Sequence, residues 1–382
     1  MNCSSILKAT TLAAISMALL AGCERPPVDT QQTGYRGTGM VQLTNPRTQA
    51  ELQAKNVPPP STPVVPGDAP LAKDVYQNVQ VLTDLNVNEF IHQMTAQANW
   101  IAPNEQCVYC HNVENFASDE KYTKVVARRM IQMTRDINMN YKQHVAETGV
   151  TCYTCHRGKH IPDYVWFVNA GTPPKGLTPG DSGQNRPAAN VNLTSLPYDP
   201  YTPYLLEDNI ARAVGNTALP TGNTANIKST EQVYAMMVHT SQALGVNCTH
   251  CHNSRSFKEW PQSNPQRVTA WYAIRMAKNL NQQYMVPLTE TFPDNRLGPS
   301  GDVAKVNCTT CHQGQPKPLN GVSMLPDHPE LARIKPPPAP AVADPAADPA
   351  AAAAAAPSEA DVAAAGAARD AAAAAAMGTG GG

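Results

Sequence analysis

The sequence predicts a mainly α protein made of two pseudo-symmetric halves, each holding two units of a helix followed by a Cys-x-x-Cys-His segment, with long irregular connections. Three observations lead there. Apolar residues recur at helical spacing in four stretches, and each stretch precedes one of the Cys-x-x-Cys-His segments. Strand-like alternation is scarce. A break crowded with Gly, Pro, Asn and Asp, from Gly171 to Asn190, divides the body in two.

In chain order, residues 1–22 read as an export signal: Lys8 in a short polar start, an apolar stretch from Thr10, and a small-residue cleavage region. That stretch is shorter than the ~20 apolar residues needed to span a bilayer. Leu20-Ala21-Gly22-Cys23 looks like a bacterial lipobox, which would make Cys23 the lipid-modified first residue of the mature chain. Residues 23–74, rich in Pro, Thr, Gln and Gly, read as an extended arm between anchor and body. The first half spans 75–170, the connection 171–228, the second half 229–321, and residues 322–382 read as a Pro/Ala-rich low-complexity tail. With no other apolar run long enough to cross a membrane, the body is expected on the outer side of the inner membrane, tethered by lipid.

The first helix is predicted over Val87–Ala98, with Phe90, Ile91, Met94 and Ala98 on one face. The second covers Lys124–Ile137, with Val126, Met130, Met133 and Ile137 in register. The third starts at a capping box of Ser229 and Gln232 and carries Val233, Met237, Thr240 and Leu244. The fourth has Asn264 as cap, Pro265 at the first helical position, and a stripe of Tyr272, Met276 and Leu280.

The four cysteine motifs carry the chemistry. Cys107/Cys110/His111, Cys152/Cys155/His156, Cys248/Cys251/His252 and Cys308/Cys311/His312 use eight of the ten cysteines. A zinc site or a dithiol redox centre needs no histidine directly after the second cysteine, yet one stands there every time. Each motif therefore reads as a covalent haem c site, in which two thiols bond the porphyrin and the histidine ligates iron. Hydrophobic residues make up 42% of the chain, but alanine inflates that figure and aromatics are only 6%. Four buried macrocycles would supply the missing apolar bulk. A formal charge of −1 argues against nucleic acid as partner.

Iron needs a second axial ligand. Outside the motifs stand His92, His144, His160, His239, His250 and His328, of which His250 lies within a motif loop and His328 within the proline-rich tail. Methionine on a helix laid against the porphyrin fits better, as Met94 before Cys107 and Met237 before Cys248, each ahead of its motif by a similar distance. Met236 points about 100° away from the Met237 stripe. On the second helix Met130 and Met133 both face inward. Aligning Met133-Thr134-Arg135-Asp136-Ile137-Asn138 with Met276-Ala277-Lys278-Asn279-Leu280-Asn281 puts Ala273 opposite Met130. If Met130 serves the second haem, the fourth must take its ligand from elsewhere. His144 is the leading donor, ahead of Met276 and Met285, and that would make haems 2 and 4 neighbours.

These residues resemble the tetrahaem cytochrome c subunits of purple bacterial photosynthetic reaction centres. The resemblance runs from about Gly34 to Gly321 and is carried by 151–158 (Thr-Cys-Tyr-Thr-Cys-His-Arg-Gly), 248–253, 270–275 (Ala-Trp-Tyr-Ala-Ile-Arg), 308–314 and 317–320. It implies His/Met ligation for haems 1 to 3 and His/His for haem 4, hence Met94, Met130, Met237 and His144. It also implies an electron-transfer role on the periplasmic face of the light-driven complex. Electrons would come from a soluble cytochrome c or high-potential iron–sulfur protein and re-reduce the bacteriochlorophyll special pair, along a haem line 1, 2, 4, 3 with haem 3 nearest the pair. The alternatives are a multihaem respiratory electron-transfer lipoprotein and a haem-bearing storage or adhesion lipoprotein. The alanine-rich tail departs from the family pattern.

Overall fold

The computed structural model describes residues 28–34, 39–64, 67–168, 196, 199–213 and 227–333. The export signal, Cys23, most of the 171–228 connection and the tail beyond Arg333 lie outside them. The chain is mainly α, and its one sheet among the described residues is a hairpin of β1 (Asp29–Gln32) and β2 (Val41–Thr44), with Asp29 opposite Thr44. Helices α1 (Pro46–Lys55), α2 (Ala72–Val75), α3 (Val87–Ile101), α4 (Tyr122–Asn140), α5 (Lys142–Val145), α6 (Cys152–His156), α7 (Ile227–Leu244), α8 (Gln266–Leu280) and α9 (Cys308–His312) follow. No helix among the described residues is long and apolar enough to cross a membrane.

The four predicted long helices are α3, α4, α7 and α8, with ends that differ. Helix α3 begins at a capping box of Asn86 and Glu89 and runs three residues past Ala98. Helix α4 extends beyond its predicted span at both ends. Helix α7 starts at Ile227, so Ser229 lies inside it and does not cap it. Helix α8 starts at Gln266, with Pro265 in the cap position. Asn264 puts its amide to other use, donating to the Thr249 and His250 carbonyls inside the third motif at 2.8 and 3.1 Å.

Two larger expectations need correcting. Residues 29–34 and 39–56 are not an extended arm. Asn45 caps α1 by accepting from the Arg47 N–H at 3.0 Å, Pro46 sets the first turn, and both hairpin and helix fold back on the second half. Thr249 donates to the Val41 carbonyl at 2.6 Å, the Asn247 N–H to the Gln42 side chain at 2.9 Å, and buried Asn56 to the Gln313 carbonyl at 3.3 Å. Nor does low complexity begin at 322. Residues 325–331 form two short 3₁₀ turns that bury His328, Glu330 and Leu331 against α3 and α4. Proline there shapes tight turns rather than a solvated tail.

The largest apolar cluster among the described residues is built on α4, α8 and the segment that follows α8. It joins Met133 and Ile137 of α4 to Met276 and Leu280 of α8, with Tyr284, Met285, Val303 and Val306. The residues that align in the two helices thus belong to one cluster. A second cluster gathers Trp166, Tyr201, Tyr204, Leu205, Met236 and Ala277, and a third gathers Ala96, Trp100, Ile101, Cys152 and Leu331.

Candidate functional site

The four motif histidines share one device. Each donates its Nδ1–H to a backbone carbonyl just downstream: His111 to Phe116 at 3.1 Å, His156 to Lys159 at 2.9 Å, His252 to Phe257 at 3.0 Å and His312 to Gln315 at 2.9 Å. A ring that donates from Nδ1 keeps the lone pair on Nε2, the tautomer that a metal needs. Burial lowers the pKa of all four, most strongly for His312, pushed down to about 4, so the rings are neutral at pH 7.

The motifs fall into two structural kinds, which alternate along the chain. The first and third are 3₁₀ turns, Gln106–Tyr109 and Cys248–His250, and each histidine packs on the phenylalanine whose carbonyl it bonds, with ring centroids 5.1 and 5.5 Å apart. Aligned cations hold the loops behind them. Lys124 donates to the carbonyls of Phe116, Ala117 and Ser118 at 2.8 to 3.0 Å, and Arg267 donates to the Lys258 carbonyl at 3.3 Å while lying over Trp260.

The second and fourth motifs are the short helices α6 and α9. Thr154 and Thr310 accept from the N–H groups of Thr151 and Asn307, both at 3.0 Å. Each helix ends on a left-handed residue, Arg157 or Gln313, followed by a glycine whose N–H reaches past the preceding long helix to the one before it: Gly158 to the Trp100 carbonyl of α3 and Gly314 to the Ala243 carbonyl of α7, both 2.8 Å. The glycine is required at 314, where φ is +84° and a Cβ would stand 2.7 Å from Leu52 of α1. Behind these motifs sit two buried asparagines. Asn138 donates to the Val150 carbonyl and accepts from its N–H at 2.9 and 2.7 Å; Asn281 does the same to Val306 at 2.9 and 2.8 Å. Val150 and Val306 each stand two residues before the first cysteine of a motif.

The eight motif cysteines form no disulfide among the described residues. Burial pushes the thiols of Cys110, Cys251 and Cys308 up to about 11 and that of Cys152 to about 12. Redox-active dithiols have depressed values, so this environment is wrong for that chemistry. It suits thiols that react once and become apolar thioethers.

The sixth-ligand candidates separate by burial. Met133, Met276 and Met285 lie in the cluster between α4 and α8, and Met236 is fully buried beside Tyr201 and Leu205. All four are enclosed by apolar side chains, and Met130 and Met237 pack at the edges of the same two clusters. Met94, Met130 and Met237 are only half-buried. On α3 the protein-facing residues are Gln93, Ala96, Gln97 and Trp100, and on α7 they are Ala235, Met236, His239 and Ala243. The Met94 and Met237 stripes therefore flank the packed faces, and Ile91, expected inward, is 48% exposed. His144, from α5, is half-buried with its Nδ1 enclosed, and its ring lies 5.8 Å from that of His312 and tilted 56° to it. A metal held by both at about 2 Å per bond needs roughly 6 Å between ring centroids. Burial lowers the pKa of His144 as well. Across the halves, Cys155 and Cys311 stand 3.1 Å apart, and Arg157 donates to the Cys311 carbonyl at 3.1 Å and to Asn56 at 2.9 Å.

Several residues at the site escaped the sequence reading. Asn138 and Asn281 sat in the aligned hexapeptides, and an asparagine at the same place in two apolar stripes was the available signal. Lys124 and Arg267 align in the same register but differ in type. His239, buried with its Nδ1 3.1 Å from the Tyr201 hydroxyl, carried no signal beyond its type.

The family of photosynthetic reaction centre cytochrome C subunits matches residues 24–332. Among curated proteins, photosynthetic reaction center cytochrome c subunits are similar to this chain. That of Rubrivivax gelatinosus is 54% identical over 87% of this chain and 90% of its own length. That of Thermochromatium tepidum is 48% identical over 83% and 78%, and that of Roseobacter denitrificans 44% over 80% and 86%.

Proposed function

Because the chain belongs to the family of photosynthetic reaction centre cytochrome c subunits, we propose that it holds four haem c groups in series and relays electrons from a soluble carrier to the photo-oxidised bacteriochlorophyll special pair. One observation supports it above the rest. All four Cys-x-x-Cys-His segments fix their histidine by an Nδ1–carbonyl bond, leaving every Nε2 available to iron. Haem supplies the one-electron chemistry; the chain supplies attachment, axial ligands and spacing.

The ligand assignment is Met94 with His111, Met130 with His156, Met237 with His252, and His144 with His312. For the fourth it is favoured by the 5.8 Å ring separation and by Met276 and Met285 being core. For the second it is favoured by Met130 being half-buried at the edge of the cluster that encloses Met133. The halves are a duplication in this reading. It is supported by the repeated asparagine brackets, the repeated glycine hooks, the sharing of one cluster by Met133 and Met276, and the contact of Cys155 with Cys311, as about a two-fold axis. The Cys155–Cys311 contact makes haems 2 and 4 neighbours and favours the order 1, 2, 4, 3, with haem 3 toward the special pair.

Anchoring through a lipid on Cys23, on the periplasmic side, completes the proposal, together with a small cytochrome c or a high-potential iron–sulfur protein as donor. Flash excitation of native membranes tests the function. Absorbance at the c-type α-band should bleach as the special pair recovers. Recovery with no haem oxidation would reject it.

A further inference from the structure

We propose that His92, His328 and Glu330 form a non-haem metal site that takes one borderline divalent transition cation, with zinc as its simplest occupant. The three come from distant parts of the chain, the middle of α3 and the turns after the last motif. Glu330 Oε1 lies 3.2 Å from His92 Nδ1 and 3.3 Å from His328 Nδ1, and the ligand atoms of all three fall within 4.8 Å of one another. Ligand atoms of a tetrahedral zinc with bonds of about 2.0–2.1 Å stand about 3.3–3.4 Å apart, so both distances from the carboxylate oxygen to the imidazoles match a coordination polyhedron.

The hydrogen-bonding chemistry also asks for a cation. The Thr62 carbonyl faces His92 Nε2 and can only accept, which places the proton of a neutral ring on Nε2 and the lone pair on Nδ1. That lone pair points at a carboxylate oxygen. Two acceptors in contact require a positive centre between them. The second carboxylate oxygen, Glu330 Oε2, is buried and has no hydrogen-bond partner among the described residues. Nearby guanidiniums are already engaged, Arg135 with both oxygens of Asp84 at 2.9 and 3.0 Å and Arg333 with Glu89 at 2.6 Å. Three carboxylates against two guanidiniums leave one negative charge for the imidazoles and their occupant.

The ligands are held in place. Arg135 donates to the Glu330 carbonyl and Asn138 to the Leu331 carbonyl, both at 3.0 Å, while His328 is packed between the rings of Trp100 and His92, 4.5 and 4.6 Å away. Two imidazoles and a carboxylate suit zinc and its neighbours, not calcium or magnesium, and leave a position for water. The second motif is close by: Trp100 packs with Cys152, whose thiol feels the Glu330 charge. A divalent cation here would raise the potential of the haem on Cys152 and Cys155.

The test uses the full-length, haem-loaded protein, dialysed against chelator and then titrated with Zn²⁺. The proposal expects one zinc per chain by elemental analysis, a zinc X-ray absorption spectrum with nitrogen and oxygen neighbours at about 2.0–2.1 Å, and a rise in one haem midpoint. His328→Asn and Glu330→Gln should each weaken zinc binding by about tenfold or more with haem content unchanged, and abolish the midpoint shift. Absence of stoichiometric zinc from the wild-type protein would overturn the proposal, leaving a proton shared between His92 and Glu330. Equal zinc affinity in both variants would overturn it too. Should a variant lose haem, the wild-type absorption spectrum decides, since sulfur neighbours or a disordered oxygen shell would place the metal elsewhere.

Discussion

Replacing Asn281 by alanine tests whether the asparagine bracket positions the fourth motif. The side chain is fully buried and makes three hydrogen bonds, donating to the Leu205 and Val306 carbonyls at 2.8 and 2.9 Å and accepting from the Val306 N–H at 2.8 Å. The Val306 carbonyl keeps a second donor in the Trp166 indole at 3.0 Å. The Leu205 carbonyl and the Val306 N–H lose this partner in the interior. At about 1–3 kcal/mol for each buried group left unmatched, the loss comes to about 2–6 kcal/mol. The assay is guanidinium unfolding of the haem-loaded protein, comparing midpoints at equal slope. Because Val306 leads directly into Cys308, haem content should also fall from four toward three. A stability loss under about 1 kcal/mol with all four haems attached would refute the bracket, as would selective loss of the haem on Cys152.

Four further outcomes are expected. Intact-mass spectrometry of the mature chain should show four haem additions; zinc in place of iron would remove the haem reading. His144→Met should raise the midpoint of the haem on Cys308 and Cys311, because thioether favours ferrous iron, and four unchanged midpoints in a redox titration would exclude His144 as ligand. Arg157→Gln removes the bonds to Asn56 and the Cys311 carbonyl, so limited proteolysis should cut the α1 region several-fold faster, and unchanged cleavage would show that the clamp does nothing. Cys23→Ser should abolish radiolabelled lipid incorporation, and persistent label would reject the lipobox.

Periodicity and motif spacing made the four long helices legible, because an amphipathic stripe beside a macrocycle obeys the same 3.6-residue rule as one beside protein. What periodicity could not separate was which stripe faced which. On α3 and α7 the packed stripe lies one residue before the methionine, so Gln93 and Met236 are buried while Met94 and Met237 flank them. The N-terminal region misled by composition. Its Pro, Thr and Gln read as linker, yet Asn45-Pro46 is a helix start, and the hairpin acquires its partners only from the third motif. His328 misled similarly. Its proline neighbours suggested a tail, and only the α3 and α4 surfaces that receive it, distant in sequence, make it part of the body.

The departure from symmetry has a physical logic under the proposed ligation. A duplicated pair of helix-plus-motif units would give the second and fourth haems equivalent methionines, and then nothing in the coordination would tie one half to the other. Alanine at 273 removes the equivalent of Met130, and His144 from the first half completes iron bound to His312 in the second. The axial bond then becomes a cross-link between halves, added to the apolar seam of Met133, Ile137, Met276 and Leu280 and to the Arg157 contact with Cys311. Loss of that bond should loosen the seam as well as change a potential, and a bis-imidazole iron lies lower than its His/Met neighbours. The same substitution that joins the halves thus places a low-potential step within the line, so that the relay cannot be a monotonic staircase from donor to special pair.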